Sequence, residues 1–326
     1  MTIERAEQLS IGIRSLPLPV YFPSISSIKT ALRPIDYLQL LSSLVGLNSQ
    51  FLISSFDLAN TDEPARTVEL LAVARQSGAI TLMDSGNYES FWKDAQTKWR
   101  QHDFHKMLNK YPCDLAFGFD EQSPPSNAGE HVALLVARWK SDQEAAGQSQ
   151  IIPIIHSDAA ELPALCAAVA SETGVTMIAV AERKLGDGIL ERARAVQAIR
   201  AELNKQGRYI ALHLLGTGNP ISISVYTEMG ADSFDGLEWC QTVVDHDTGL
   251  LHHLSQADFF AKQTTWADAN LSFQARTLAH NLEFFTDWMR RLREAKNQGL
   301  ISEFCRLNLP SRAFQYCADT AGWCKS

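Results

Sequence analysis

Short runs of apolar and β-branched residues recur along this chain, each stopped by small or polar residues. The runs are Val20–Ile25, Gln50–Ser54, Ile80–Met83, Leu115–Phe119, Ile151–Ile155, Thr176–Val180, Ile210–Leu215 and Ala231–Phe234. Between them lie segments with helical periodicity, such as Arg66–Arg75, Glu130–Lys140, Glu161–Ser171 and Ile189–Leu203. Parallel strands need crossover connections, and those connections are right-handed. Eight strands alternating with helices therefore predict α/β architecture, a closed (β/α)8 TIM-type barrel. An open doubly wound sheet is the rival, but no GxGxxG follows the first run, which weakens its dinucleotide-binding form. No linker rich in Pro, Gly or Ser divides the chain, so one domain is expected. Residues 1–15 read as an N-terminal extension and 16–299 as the barrel. Residues 300–326 read as a segment packed on it, since Phe314, Tyr316 and Trp323 make a free tail too apolar.

Composition sets bounds on partners and compartment. A hydrophobic content of 45% with 20% charged residues is ample for a core. A net charge of −8 gives no global positive field to draw in nucleic acid, although a local basic patch can still meet phosphates. Six cysteines are scattered without a CxxC pair, which points to reduced thiols and a cytoplasmic protein. No apolar stretch is long enough for a membrane span, so no membrane partner is expected.

The residues just past each strand carry the functional reading. Asp84, Ser85, Gly86, Asn87 and Tyr88 come after Met83; Asp120 and Glu121 after Phe119; His156 and Ser157 after Ile155. Glu182 and Arg183 come just after Val180, Gly216, Thr217 and Gly218 after Leu215, and Asp235 after Phe234. In a barrel all of these share the C-terminal rim, where active sites are built. One strand-end Asp is as readily a helix N-cap. Three such carboxylates with a histidine are harder to explain so. Two facing carboxylates suit chemistry at a sugar C1: one attacks as nucleophile while the other handles protons. A further carboxylate accepts hydrogen bonds, so it suits the N–H edge of a base such as guanine, and Tyr88 offers a stacking face. No Ser-His-Asp order, HExxH or P-loop is present.

Five motifs occur in order: DSGNY (Asp84–Tyr88), LAFGFDE (Leu115–Glu121), HLLGTG (His213–Gly218), GADSFD (Gly230–Asp235) and HNLEFF (His280–Phe285). With the opening PLPVYFPSIS they resemble the tRNA-guanine transglycosylases, over residues 16–299. The resemblance implies a β/α barrel that exchanges guanine in a nucleic acid, DNA or tRNA, for a 7-deazaguanine base. It also implies a covalent Asp-glycosyl intermediate. By the same resemblance Asp235 is the nucleophile and Asp84 the acid/base group. Tyr88 sandwiches the base, Asp120 reads its N–H edge, and Leu215 and Gly216 form the pocket wall. Ser85 and Gly86 belong to the same substrate-binding motif, and Glu182 is a candidate hydrogen-bond partner for the incoming base.

The departures shape the expectation further. Asn87 stands where the family has a second glycine, and His156 where it has a glutamine that bonds the base. The family's CxCxxC cluster, which with the HNL histidine binds structural zinc, is missing: no cysteine lies between Cys240 and Cys305. No metal and no cofactor are expected, and His280 should cap or pack within its helix. The family's dimers lean on that zinc region, so a homodimer remains open here. After Asp235 the chain reads GLEWCQTVVDHDTGLLHH, acidic where the tRNA-type enzymes are basic, which is closer to the branch that modifies DNA. A barrel that binds or hydrolyses a small 7-deazaguanine nucleoside or base, without a polymer, is the alternative. The strongest basic cluster, Arg290, Arg291, Arg293 and Lys296, reads as a solvated helix face, with phosphate binding as its alternative. His252 and His253 read as exposed.

Overall fold

The computed structural model describes residues 4–94, 98–120 and 125–321, the last two by backbone alone. Glu121, Trp323 and Cys324 lie outside the described residues. Eight strand positions surround one axis: β1 Val20–Ile25, β2 Gln50–Ser54, β3 Ile80–Asp84, β4 Leu115–Phe117, β5, β6 Met177–Ala181, β7 Ala211–Leu215 and β8 Ser233–Gly236. Here β5 is two pieces, Gln150–Ile152 and Ile154–Ile155. Every neighbouring pair is parallel. In the nine-stranded order the two pieces of β5 take the two edges, one on β4 and the other on β6. The sheet therefore meets itself at one segment, and the single-domain barrel is as expected.

Pro153 explains the break in β5. It has no N–H to give the ladder, but its carbonyl accepts from the Ala179 amide at 3.0 Å. On the other side the Ile152 carbonyl accepts from the Gly118 amide at 2.9 Å. The run at 115–119 is shorter than its composition predicts for a similar reason. The Phe119 amide leaves the sheet and donates to the buried Asp142 carboxylate at 2.7 Å.

Period-two alternation sorts the strands into two cores. Val20, Phe22, Leu52, Leu82, Phe117 and Ile154 point into the barrel. Tyr21, Ile25, Phe51 and Ile53 face the helices. A hairpin, Gln8–Ile11 with Arg14–Pro17, sends Leu9, Ile11 and Leu16 into the inner core. It belongs with the strands' N-terminal ends, which leaves the opposite rim for a site. The helix Phe273–Asn297 buries Leu278, Leu282, Phe285, Trp288, Met289 and Leu292, the stripe its spacing predicts. The chain ends in helices Ile301–Asn308 and Ser311–Ala321, the second packing Phe314 and Cys317 against the outer core.

The basic cluster on Phe273–Asn297 divides in two. Arg290 pairs with Asp287 and Glu294 on the exposed face, at 2.5 and 2.7 Å. Arg293 instead donates to the Pro19 carbonyl at 3.1 Å, and Lys296 to those of Ala6 and Leu18. These carbonyls precede β1, so half of the cluster ties down the barrel floor, away from the rim.

Candidate active site

The rim surrounds a cavity of about 590 Å³. Of the ten residues singled out from sequence, Asp84, Ser85, Tyr88, Asp120, His156, Glu182, Leu215, Gly216 and Asp235 line it. Gly86 sits behind the wall and shapes it. With φ at 84° it turns the chain from β3 into the helix Asn87–Trp92, and a Cβ there would stand 2.7 Å from the Phe56 amide nitrogen.

Asp235 is held from three sides. Ser24 Oγ donates to its Oδ2 at 2.9 Å, and the Gly216 amide to its Oδ1 at 3.0 Å. His213 Nε2 lies 3.1 Å from the same Oδ1, and its Nδ1 is 2.7 Å from Ser233 Oγ. The His213 ring is fully buried, edge-on to Phe117 at 4.8 Å. Two partners thus fix Oδ1 and one touches Oδ2, which leaves Oδ2 the freer atom.

Asp84 has a different setting. Its Oδ2 accepts from the Gly86 amide at 2.9 Å. Burial, with Glu89, Asp120 and Asp235 adding negative charge, pushes its carboxyl well above the usual range. The two aspartates on one cavity therefore have unlike hydrogen-bond partners: three donors surround Asp235, and one backbone amide meets Asp84.

Asp120 arrives already engaged. Ser85 Oγ donates to Oδ1 at 3.0 Å, and His156 Nε2 lies 2.7 Å from Oδ2. Asn87 Nδ2 donates to Oδ1 and to the Asp120 carbonyl. Burial alone would raise this carboxyl, but His156, Asn87 and Ser85 hold it below its ordinary value. Asn87 and His156 therefore converge on one carboxylate. Glu182 is also tied back, by Arg192 at 2.9 Å and the Tyr226 hydroxyl at 2.9 Å.

Two further acids line the cavity that the strand-end pattern does not single out, Glu89 and Glu238. Ser26 and Ser54 hydroxyls hold Glu89, the latter at 2.7 Å. Burial, with Asp57 nearby, pushes it up to about 7. Burial pushes Glu238 up to about 7 as well, against its own and the Gly218 amide, with Asp235 and Glu182 adding. Tyr88, Phe91 and Trp92, all exposed on one short helix, form an aromatic lip, and Lys29 Nζ stands 4.2 Å over the Trp92 ring.

Glu89 gives a stability prediction. Its folded value exceeds the ordinary 4.5, so its ionisation costs folding free energy that grows as pH rises from about 4.5 to about 7. Glu89→Gln should therefore stabilise the protein at pH 8, on the order of 2 kcal/mol, with the gain vanishing at pH 4.5. Urea unfolding at the two pH values measures this; an equal effect at both would remove the cause given.

His280 does not face the cavity. Its Nε2 lies 2.8 Å from the Val244 carbonyl, and its ring packs on His246 at 4.2 Å between centroids. Among the described residues no group of three or more His, Cys, Asp or Glu is placed to hold a metal. Nor is any described helix long and apolar enough to cross a membrane. His253 is exposed beside Ser255, whereas His252 is partly covered by Phe260. No family model matches the chain, and no curated protein matches it.

Proposed function

We propose that this barrel is a transglycosylase that exchanges a guanine in nucleic acid for a 7-deazaguanine, through a glycosyl ester on Asp235. The observation that carries the reading is the placement of Asp235 and the buried Asp84 on the wall of one cavity. Asp235 Oδ2 attacks the sugar C1 while the C1–N9 bond breaks. Asp84, whose carboxyl is pushed toward the protonated form by burial and by the neighbouring Glu89, Asp120 and Asp235, gives its proton to the departing base. The incoming base then returns an N9 proton to Asp84 as N9 attacks C1, and the ester bond breaks. Asp235 and Asp84 end as they began, so no cofactor enters the balance. Tyr88 is the stacking face, and the Asp120–His156 pair presents polar groups to the base edge. His156 on that carboxylate changes what the edge meets, so base choice should differ from that of an enzyme with glutamine there.

One observation favours a second reading, in which the site binds or hydrolyses a small 7-deazaguanine nucleoside or base. Arg293 and Lys296 are spent on the floor, and the cavity wall carries Lys29 and Arg183 beside six acidic side chains, among them the strongly hydrogen-bonded Asp120 and Asp235. A polymer would have to bring its phosphates past that charge. Incubation with tRNA or duplex DNA and labelled 7-cyano- or 7-aminomethyl-7-deazaguanine decides between them. Base exchange predicts label in one polymer and a covalent protein–polymer adduct on a denaturing gel. Label in neither polymer, with no adduct, leaves only the small-substrate reading.

A further inference from the structure

Glu238 is a cavity carboxyl that base exchange by Asp235 and Asp84 does not use. The protein's structural carboxylates show how it satisfies such groups: Asp142 meets Gln101, His105 and the Phe119 amide, and Asp114 meets Thr81 and Arg75. The Glu238 carboxyl faces its own backbone amide and that of Gly218, and the nearby Tyr21 hydroxyl is already given to the Gly236 carbonyl at 3.0 Å. Yet the chain makes room for it. Gly218, after β7, and Gly236, ending β8, both adjoin Glu238 Oε2, and a Cβ at either would collide with it. The space is reserved by two strand ends, and its open side is the cavity.

Its position relative to Asp235 identifies what it meets. Glu238 Oε2 rests on Gly236, the residue next to the proposed nucleophile. In a near-attack geometry the sugar C1 lies roughly 3–3.5 Å from the attacking oxygen. The 2′-oxygen is two bonds away from that carbon. Hydrogen bonds to a 2-hydroxyl strengthen as positive charge develops at C1, and the 2′-hydroxyl is what separates RNA from DNA at a site. A carboxyl beside the nucleophile is suited to accept that bond.

We propose that Glu238 is a specificity-determining residue that accepts the 2′-hydroxyl of the substrate sugar, so that the substrate is a ribonucleotide or ribonucleoside rather than DNA. This rests on the base-exchange reading for the identity of the sugar carbon. The test uses the full chain as wild type, Glu238→Ala and Glu238→Gln. Calorimetric titration compares guanosine with 2′-deoxyguanosine, and adduct trapping compares RNA and DNA oligonucleotides of one sequence. At pH 8, above the value of about 7 to which burial pushes Glu238, wild type should favour the ribose form about 10- to 100-fold, the loss expected for one hydrogen bond to a charged group. Glu238→Ala should bring the ratio near one, and Glu238→Gln, which keeps an acceptor oxygen, should restore part of it. A purely structural Glu238 would leave the ratio unchanged in both variants, and that result overturns the assignment, as does a wild-type preference for the deoxy form or binding of neither nucleoside. Ribose preference without an adduct on either polymer keeps Glu238 and removes base exchange on polymers. Adducts whose ribose-to-deoxy ratio the variants do not move keep base exchange and remove Glu238.

Discussion

Asp235→Asn is expected to fold and to do no chemistry. The amide oxygen can replace Oδ1 as acceptor for the Gly216 amide and His213, and the amide nitrogen can donate to Ser24 Oγ. Each bond to Asp235 thus has a counterpart, so the cost in stability should stay within about 1 kcal/mol. An amide, however, cannot form the glycosyl ester. Loss of a covalent nucleophile costs roughly 10⁴-fold or more in kcat. Single-turnover incorporation of labelled base, with a denaturing gel for the adduct, should show neither above background. Thermal unfolding of the same sample should give a midpoint within a few degrees of wild type. An adduct that survives the substitution would show that Asp235 does not attack, and the proposed mechanism would go with it.

The reason such a prediction can be framed from sequence is architectural. A barrel maps the C-terminal end of every strand to one rim, so finding the strands finds the candidate residues, and nine of the ten reach one cavity. Ser24 and His213 are less legible because their role depends on partners across the ring. Ser24 is the fifth residue of an ordinary apolar strand, and His213 lies inside β7. Only the pairing of β8 with β1 and β7 brings both to Asp235. Glu89 and Glu238 sit on short helices beyond the strand ends, where sequence gives a side chain no direction. The floor is hidden for another reason. Gln8–Ile11 and Arg14–Pro17 are four residues each, too short for a strong strand signal, although Leu9 and Ile11 alternate as an inward face should. Asn87 and His156 are legible as departures from a motif. That both act on Asp120 depends on the neighbouring ends of β3, β4 and β5, which sequence spacing does not bring together.

Asp232 should give the largest loss of stability in the protein, although it lies three residues before Asp235. It precedes β8 at the floor, and its carboxylate is fully enclosed. Arg200 pairs with Oδ2 at 2.7 Å and Arg5 with Oδ1 at 3.0 Å, while the Leu212 amide and Tyr209 hydroxyl also donate to it. Burial by itself would raise this carboxyl; the charges of Arg200 and Arg5 outweigh that and hold it below the ordinary 3.8. Asp232→Ala strands two guanidinium groups. Arg200 retains the Gly230 and Ile210 carbonyls, and Arg5 those of Thr227 and Ala231, but neither keeps a counter-charge. Breaking a buried pair from one side costs about 3–5 kcal/mol, which urea unfolding at pH 7 should register as a large fall in midpoint. Because the folded carboxyl lies below its unfolded value, its contribution is present above about pH 4 and is lost as pH falls through the folded value. The gap between wild type and Asp232→Ala should therefore narrow on acidification. A loss under about 1 kcal/mol at pH 7 would mean that the arginines find solvent once released, and that the floor is held by the hairpin's apolar side chains instead. Either result leaves the rim as it is: Asp232 precedes β8 and is enclosed by cations at the floor, whereas Asp235, three residues on, faces a cavity.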